Sequence, residues 1–262
     1  MTQVTILNVF VFLFGAVVGS FLNVCIYRIP RAESLVFPAS HCPECGNKIR
    51  AYDNVPLISY LLLRGKCRTC GTRISWQYPA VEMLSALLTL VLFLKFHFSP
   101  TFFVLFLFCM ALVVITFIDL EHQIIPDSIS LPGIVVGFLS SFFLPWLSWQ
   151  SSLIGIVAGG GSLLLVAYGY QLLTKKEGMG GGDIKLLAMM GAFLGWRAIP
   201  FIIFTSSLFG SVVGLTLMAI RKKDSQLPIP FGPFLAFGAI LFIFYGRQLI
   251  EWYLAFGGSV RG

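Results

Sequence analysis

Along this chain, runs in which nearly every position is apolar alternate with short polar connections. The runs cover residues 4–26, 78–96, 101–118, 129–146, 153–173, 184–196, 201–220 and 228–254. Most approach or exceed the roughly 20 residues that cross the hydrocarbon of a bilayer as a helix. Backbone groups in lipid find no water, so each spanning segment must satisfy its own hydrogen bonds as a helix. The pattern predicts an all-α polytopic membrane protein with about eight transmembrane helices. Residues 184–196 are short for a full span and predict a partial or tilted helix. The first run is too long for a signal-peptide core and has no basic region before it, so it is expected to be a retained span.

Composition agrees with the pattern. The chain is 57% hydrophobic and 11% charged, against about 25% charged in a soluble domain. Its net charge of +7 is unevenly spread. With the N-terminus outside, 14 of the 18 Lys and Arg fall in cytoplasmic segments, and only Lys95, Arg197, Arg247 and Arg261 fall outside. Such a bias orients membrane helices. It assigns the basic loops to topology in a lipid bilayer rather than to a nucleic-acid partner.

One segment breaks the pattern. Residues 28–78 carry eight Lys or Arg and three acids, with no stretch able to span. They contain Cys42-Pro43-Glu44-Cys45-Gly46 and Cys67-Arg68-Thr69-Cys70-Gly71. Two Cys-x-x-Cys pairs can close a tetrahedron of thiolates around zinc. The Gly after each pair suits the turn that brings backbone N–H groups back to the sulfurs. Two disulfides are the competing arrangement. They need an oxidising compartment, whereas the positive charge of the loop points to the cytoplasm. Four Cys ligands leave no open position, so the metal would be structural. The chain thus divides into a first helix (1–27), a small cytoplasmic tetra-Cys zinc loop domain (28–78) and a membrane domain (79–262).

The remaining chemistry lies in carboxylates. Glu177-Gly178-Met179-Gly180-Gly181-Gly182-Asp183 separates two apolar runs, and a carboxylate near hydrocarbon is a functional candidate. Asp183 could alternatively cap the next helix. Asp119 ends the run 101–118, at the C-terminal end of a helix whose dipole disfavours negative charge. Asp127, after Pro126, has the position of a helix cap. His122 reads as a surface residue. Asn23 is expected to hydrogen-bond a neighbouring helix, a substrate contact being its other reading, and Glu82 to snorkel or to pair with a base of the Cys loop. Gly155 and Gly159 are spaced for close helix packing, and Arg247 and Glu251 for an ion pair. Two acids at one membrane face can share a proton, one activating water and the other donating to a carbonyl. His41, His97 and His122 are scattered, so no Ser-His-Asp set competes. Ion transport and a membrane scaffold are the other readings of paired intramembrane acids and a Cys loop.

The ordered set of motifs resembles the type IV prepilin leader peptidases, which are GxGD-type membrane aspartic proteases. It comprises Gly19-Ser20-Phe21-Leu22-Asn23-Val24, both Cys pairs, Asp119 with Ile125-Pro126-Asp127, Gly180-Gly181-Gly182-Asp183-Ile184-Lys185 and Pro230-Phe231-Gly232-Pro233-Phe234. The resemblance implies that Asp119 and Asp183 are the catalytic pair, with Gly180 and Gly182 supporting the motif. It implies that Cys42, Cys45, Cys67 and Cys70 are the metal tetrad. It implies cleavage of a short basic leader from type IV prepilins and pseudopilins of pilus and secretion systems. The reaction would occur at the cytoplasmic side of the bacterial inner membrane. Methylation of the new N-terminus with S-adenosylmethionine would follow. No residue is assigned to the methyl donor.

Overall fold

The computed structural model describes residues 2–175, 180–221, 229–246, 248, 249 and 251. Its described regular structure is helical. In chain order these are α1 (Thr2–Arg28), a short α2 (Ile58–Leu62), α3 (Gln77–Phe96), α4 (Pro100–His122), α5 (Asp127–Ser140), α6 (Trp149–Thr174), α7 (Gly181–Leu194), α8 (Ala198–Arg221) and α9 (Gly232–Leu241). A π-helical turn, Phe242–Gly246, extends α9. Helices α1, α3, α4, α6 and α8 are long and apolar enough to cross a membrane; α5 and α9 with its extension are shorter apolar helices. The all-α membrane class is therefore as the apolar runs predict. The pairing of Arg247 with Glu251 lies outside the described residues.

The chain forms two compact units, Met1–Ile118 and Asp119–Gly262. In the first, α1 packs along α3. Close approach is possible because of Gly15 and Gly19. A Cβ on Gly15 would lie 2.6 Å from Thr89 Oγ1, and one on Gly19 2.7 Å from Glu82 Cα. In lipid there is little hydrophobic drive between helices, so contact through small residues is what holds them. The loop between α1 and α3 carries the four cysteines. Arg28, at the end of α1, donates to Ser34 O at 2.7 Å and Pro38 O at 2.6 Å, fastening the start of this loop.

In the second unit α7 is the centre. Every residue from Leu186 to Leu194 is buried, against α5, α6, α8 and α9. A helix apolar on all sides belongs in an interior, so its 14 residues need not cross lipid. Gly155 and Gly159 of α6 bring the two backbones together. A Cβ on Gly155 would collide with Gly191 O, and one on Gly159 would lie 2.5 Å from Leu187 O. Ser152 Oγ donates to Ala192 O at 2.7 Å across the same contact. The outer faces of α6 and α8 carry exposed Leu165, Leu173 and Phe204, as lipid-facing surfaces do.

Candidate active site and metal centre

Asp119 lies in the last turn of α4 and is only 5% exposed. Its Oδ2 accepts the backbone N–H of Gly232 at 3.0 Å. Gly232 is the first residue of α9, with Pro233 beside it. The first N–H groups of a helix have no partner within it, and this one is given to a carboxylate. Asp119 therefore ends one helix and faces the positive end of another. A Cβ on Gly232 would sit 2.6 Å from Asp119 Oδ2, so the contact requires glycine. Helix α9 is held in place by α8: Ser206 Oγ donates to Phe234 O at 3.0 Å, and a Cβ on Gly238 would lie 2.7 Å from Thr205 Oγ1.

Asp183 is the third residue of α7, which begins after Gly180 in an extended conformation. Asp183 lies within electrostatic reach of Asp119. Oδ1 of Asp183 is buried and has no hydrogen-bond partner among the described residues. The two glycines named in the motif differ. Gly182 is required sterically, because its Cβ would be 2.8 Å from Ile125 Cβ. Among the described residues a Cβ on Gly180 would meet only the Gly182 nitrogen, at 4.0 Å.

Asp127 is not a helix cap. It is the first residue of α5, whose cap position is Pro126 and has no side-chain bond. Both its oxygens lie 2.8 Å from Lys185 Nζ. This exposed ion pair ties the start of α5 to the start of α7. Sequence reasoning gave neither Gly232 nor Lys185 a role; the Pro-Phe-Gly-Pro and Asp-Ile-Lys strings were the available signals.

The four cysteines converge. Sγ atoms of Cys42, Cys45, Cys67 and Cys70 all lie within 4.8 Å of one another, with Cys42 and Cys70 at 3.8 Å. Four thiolates around zinc at about 2.3 Å sit about 3.8 Å apart, so the set has the size of a metal tetrahedron. The two halves repeat. Gly46 N–H bonds Cys42 O at 2.9 Å, and Gly71 N–H bonds Cys67 O at 3.0 Å. The glycines have φ of 68° and 72°, a conformation that disfavours a Cβ. The Thr72 hydroxyl, followed by its N–H, holds the Cys70 thiol down to about 6. The N–H groups of Cys70 and Thr69 lower that of Cys67. These two sulfurs favour the thiolate that a metal needs, whereas Cys45, although the Asn47 N–H lowers it, is carried up to about 11 by burial and by the Cys42 and Cys70 thiols beside it. All six cysteines are free of disulfides.

Asn23 donates to Tyr78 O at 3.1 Å, the interhelix bond expected of it. Among the described residues Glu82 pairs with no base. Its Oε2 accepts the Leu57 N–H of the Cys loop at 2.8 Å.

Two family models match the chain: the bacterial peptidase A24 N-terminal domain over residues 13–96 and the type IV leader peptidase family over residues 105–215. The chain is 39% identical over 269 residues to a prepilin leader peptidase/N-methyltransferase of Pseudomonas aeruginosa, covering 94% of this chain and 93% of that one. The chain belongs to the type IV leader peptidase family. It is also 39% identical to the prepilin leader peptidase/N-methyltransferases of Aeromonas hydrophila (93% of this chain, 92% of the relative) and Dichelobacter nodosus (92% of each). No solved structure matches it.

Proposed function

We propose that this type IV leader peptidase removes the leader peptide of type IV prepilins and pseudopilins with Asp119 and Asp183, at the cytoplasmic face of the inner membrane. It then N-methylates the new N-terminus with S-adenosylmethionine. The observation that carries the peptidase reading is the asymmetry of the two acids. Asp119 accepts a backbone N–H, which suits a carboxylate. Asp183 has a buried oxygen with no partner among the described residues, which suits the acid that donates to an incoming carbonyl. Ionised Asp119 takes a proton from water as the water oxygen attacks the scissile carbonyl. Asp183 gives its proton to the carbonyl oxygen. The tetrahedral intermediate then collapses: the C–N bond breaks, the amine leaves with the proton from Asp119, and Asp183 recovers its own. No metal takes part in these transfers.

The Cys tetrad is assigned to zinc with a structural role, since four sulfurs fill its coordination. It would fold residues 28–78, a loop too small for a core of its own. The methyl donor would supply an electrophilic methyl group on a sulfonium. The test incubates the purified protein with a prepilin and isotopically labelled S-adenosylmethionine and weighs the product. Expected are loss of the leader and gain of one labelled methyl at the new N-terminus. An intact prepilin would end the peptidase reading, and a cleaved but unlabelled product would end the methylation reading alone.

A further inference from the structure

The second activity needs a site, and the first unit contains a cavity that no role yet occupies. Its volume is about 380 Å³, within the roughly 300–1,000 Å³ of small-molecule sites. It opens among the end of α1, the start of α3 and the Cys loop. Two charged side chains in its lining are almost fully buried: Arg28 at 6% exposed and Glu82 at 8%. Among the described residues neither forms an ion pair. Arg28 is held by the carbonyls of Ser34 and Pro38, and Glu82 by the Leu57 N–H and the Ser20 hydroxyl. Each is fixed by neutral groups only.

Burying an ion without a counter-ion costs several kcal/mol. A lipid-side helix such as α3 could have used an apolar residue at position 82. The cost is accepted twice in one cavity, once for each sign. The N–H that holds Glu82 is also strained. Leu57 has φ 62° and ψ −48°, and Ile58 N–H bonds Pro56 O at 2.6 Å across it. This is a γ-turn of the positive-φ kind, which is rare for a residue with a side chain. Strain of this sort persists where the surroundings over-determine it, commonly around ligands. Glu44, Lys48 and Arg73 also line the cavity, but Arg28 and Glu82 are its buried charges, and one buried anion beside one buried cation fits a ligand that carries both charges.

We infer that this cavity binds S-adenosylmethionine, with Arg28 facing the carboxylate of its amino-acid end and Glu82 facing its sulfonium. The inference rests on the N-methyltransferase reading above. Arginine suits a carboxylate through paired N–H donors. A carboxylate beside the sulfonium distinguishes the donor from its product: S-adenosylhomocysteine has a neutral thioether at that atom. The donor site then lies within the first unit, while both aspartates belong to the second.

The test measures binding of S-adenosylmethionine and of S-adenosylhomocysteine to the full-length, metal-loaded chain in detergent. Glu82→Gln should weaken S-adenosylmethionine at least tenfold and S-adenosylhomocysteine much less. Arg28→Gln should weaken both. Zinc content shows that the loop has folded in each variant. Independently of any variant, ultraviolet cross-linking of labelled donor to the wild-type chain should mark peptides within residues 20–82. Label confined to residues 119–262 overturns the assignment. So does equal donor affinity in wild type and Glu82→Gln, or displacement of bound donor by a leaderless pilin peptide and not by S-adenosylhomocysteine. A wild-type chain that methylates a cleaved pilin but shows these results loses the site and keeps its activity. One that neither binds donor nor methylates loses both.

Discussion

At the scale of single residues, the two aspartates should behave differently from the third acid near them. Asp119→Asn and Asp183→Asn change little volume and remove proton transfer, which contributes about 10²–10⁴-fold in rate. Each should abolish leader removal on one prepilin while zinc content stays at one per chain. Asp127→Asn breaks only the exposed contact with Lys185, where both side chains are more than a third exposed. Surface pairs of this kind contribute about 0–1 kcal/mol, so cleavage should persist. Loss of cleavage in Asp127→Asn with activity retained in Asp119→Asn would move the first catalytic acid to position 127. Gly232→Ala is the sharper probe. Its Cβ would press on Asp119 Oδ2 and displace a charge-assisted hydrogen bond of about 1.5–3 kcal/mol, so kcat/KM should fall roughly 10- to 100-fold. Wild-type kinetics in Gly232→Ala would show that this N–H does not hold the catalytic carboxylate.

Among elements, the Cys loop and α7 depend on different physics. The loop depends on its metal. Cys42→Ser removes one of four ligands and with it folding free energy. Zinc content should drop and protease sensitivity within residues 28–78 should rise, with leader cleavage falling less than zinc occupancy. Full-length protein purified without zinc, but with disulfides between these cysteines, would refute the metal reading. Helix α7 depends on contact between backbones. Gly191→Ala would drive a methyl group into Gly155 O, and overpacking of this kind costs about 1–3 kcal/mol. Thermal unfolding in detergent should register the loss, even though residue 191 lies two turns from Asp183.

For the molecule as a whole, the outstanding quantity is orientation. The basic bias predicts both termini outside and the Cys loop inside, an orientation in which 14 of 18 Lys and Arg fall in cytoplasmic segments. After metal removal, Cys42 and Cys67 should resist an impermeant thiol reagent in intact cells and react in opened vesicles. Labelling from outside would invert the topology, and would carry the proposed site of leader cleavage to the other face.

Much of this protein was legible in its sequence because lipid leaves the backbone few options. Apolar runs of the right length must be helices, and Cys-x-x-Cys pairs with a following glycine have one compact geometry, so the helical class and the sulfur tetrad were readable from spacing alone. The small residues Gly155 and Gly159 announced a close contact, though not its partner α7; Gly15 and Gly19 at the same spacing went unread. What spacing could not provide was the environment of each charge. Asp119 looked opposed by its own helix dipole, and only the fold brings the N-terminus of α9, 113 positions on, to its oxygen. Asp127 looked like a cap because the signal at its helix start is local; its partner Lys185 is 58 positions away. Glu82 looked set to snorkel or to find a base, and instead shares a cavity with Arg28 in which both are held by neutral groups. Local propensity depends on neighbours in sequence, whereas the field at a carboxylate depends on whatever donors the tertiary structure places around it.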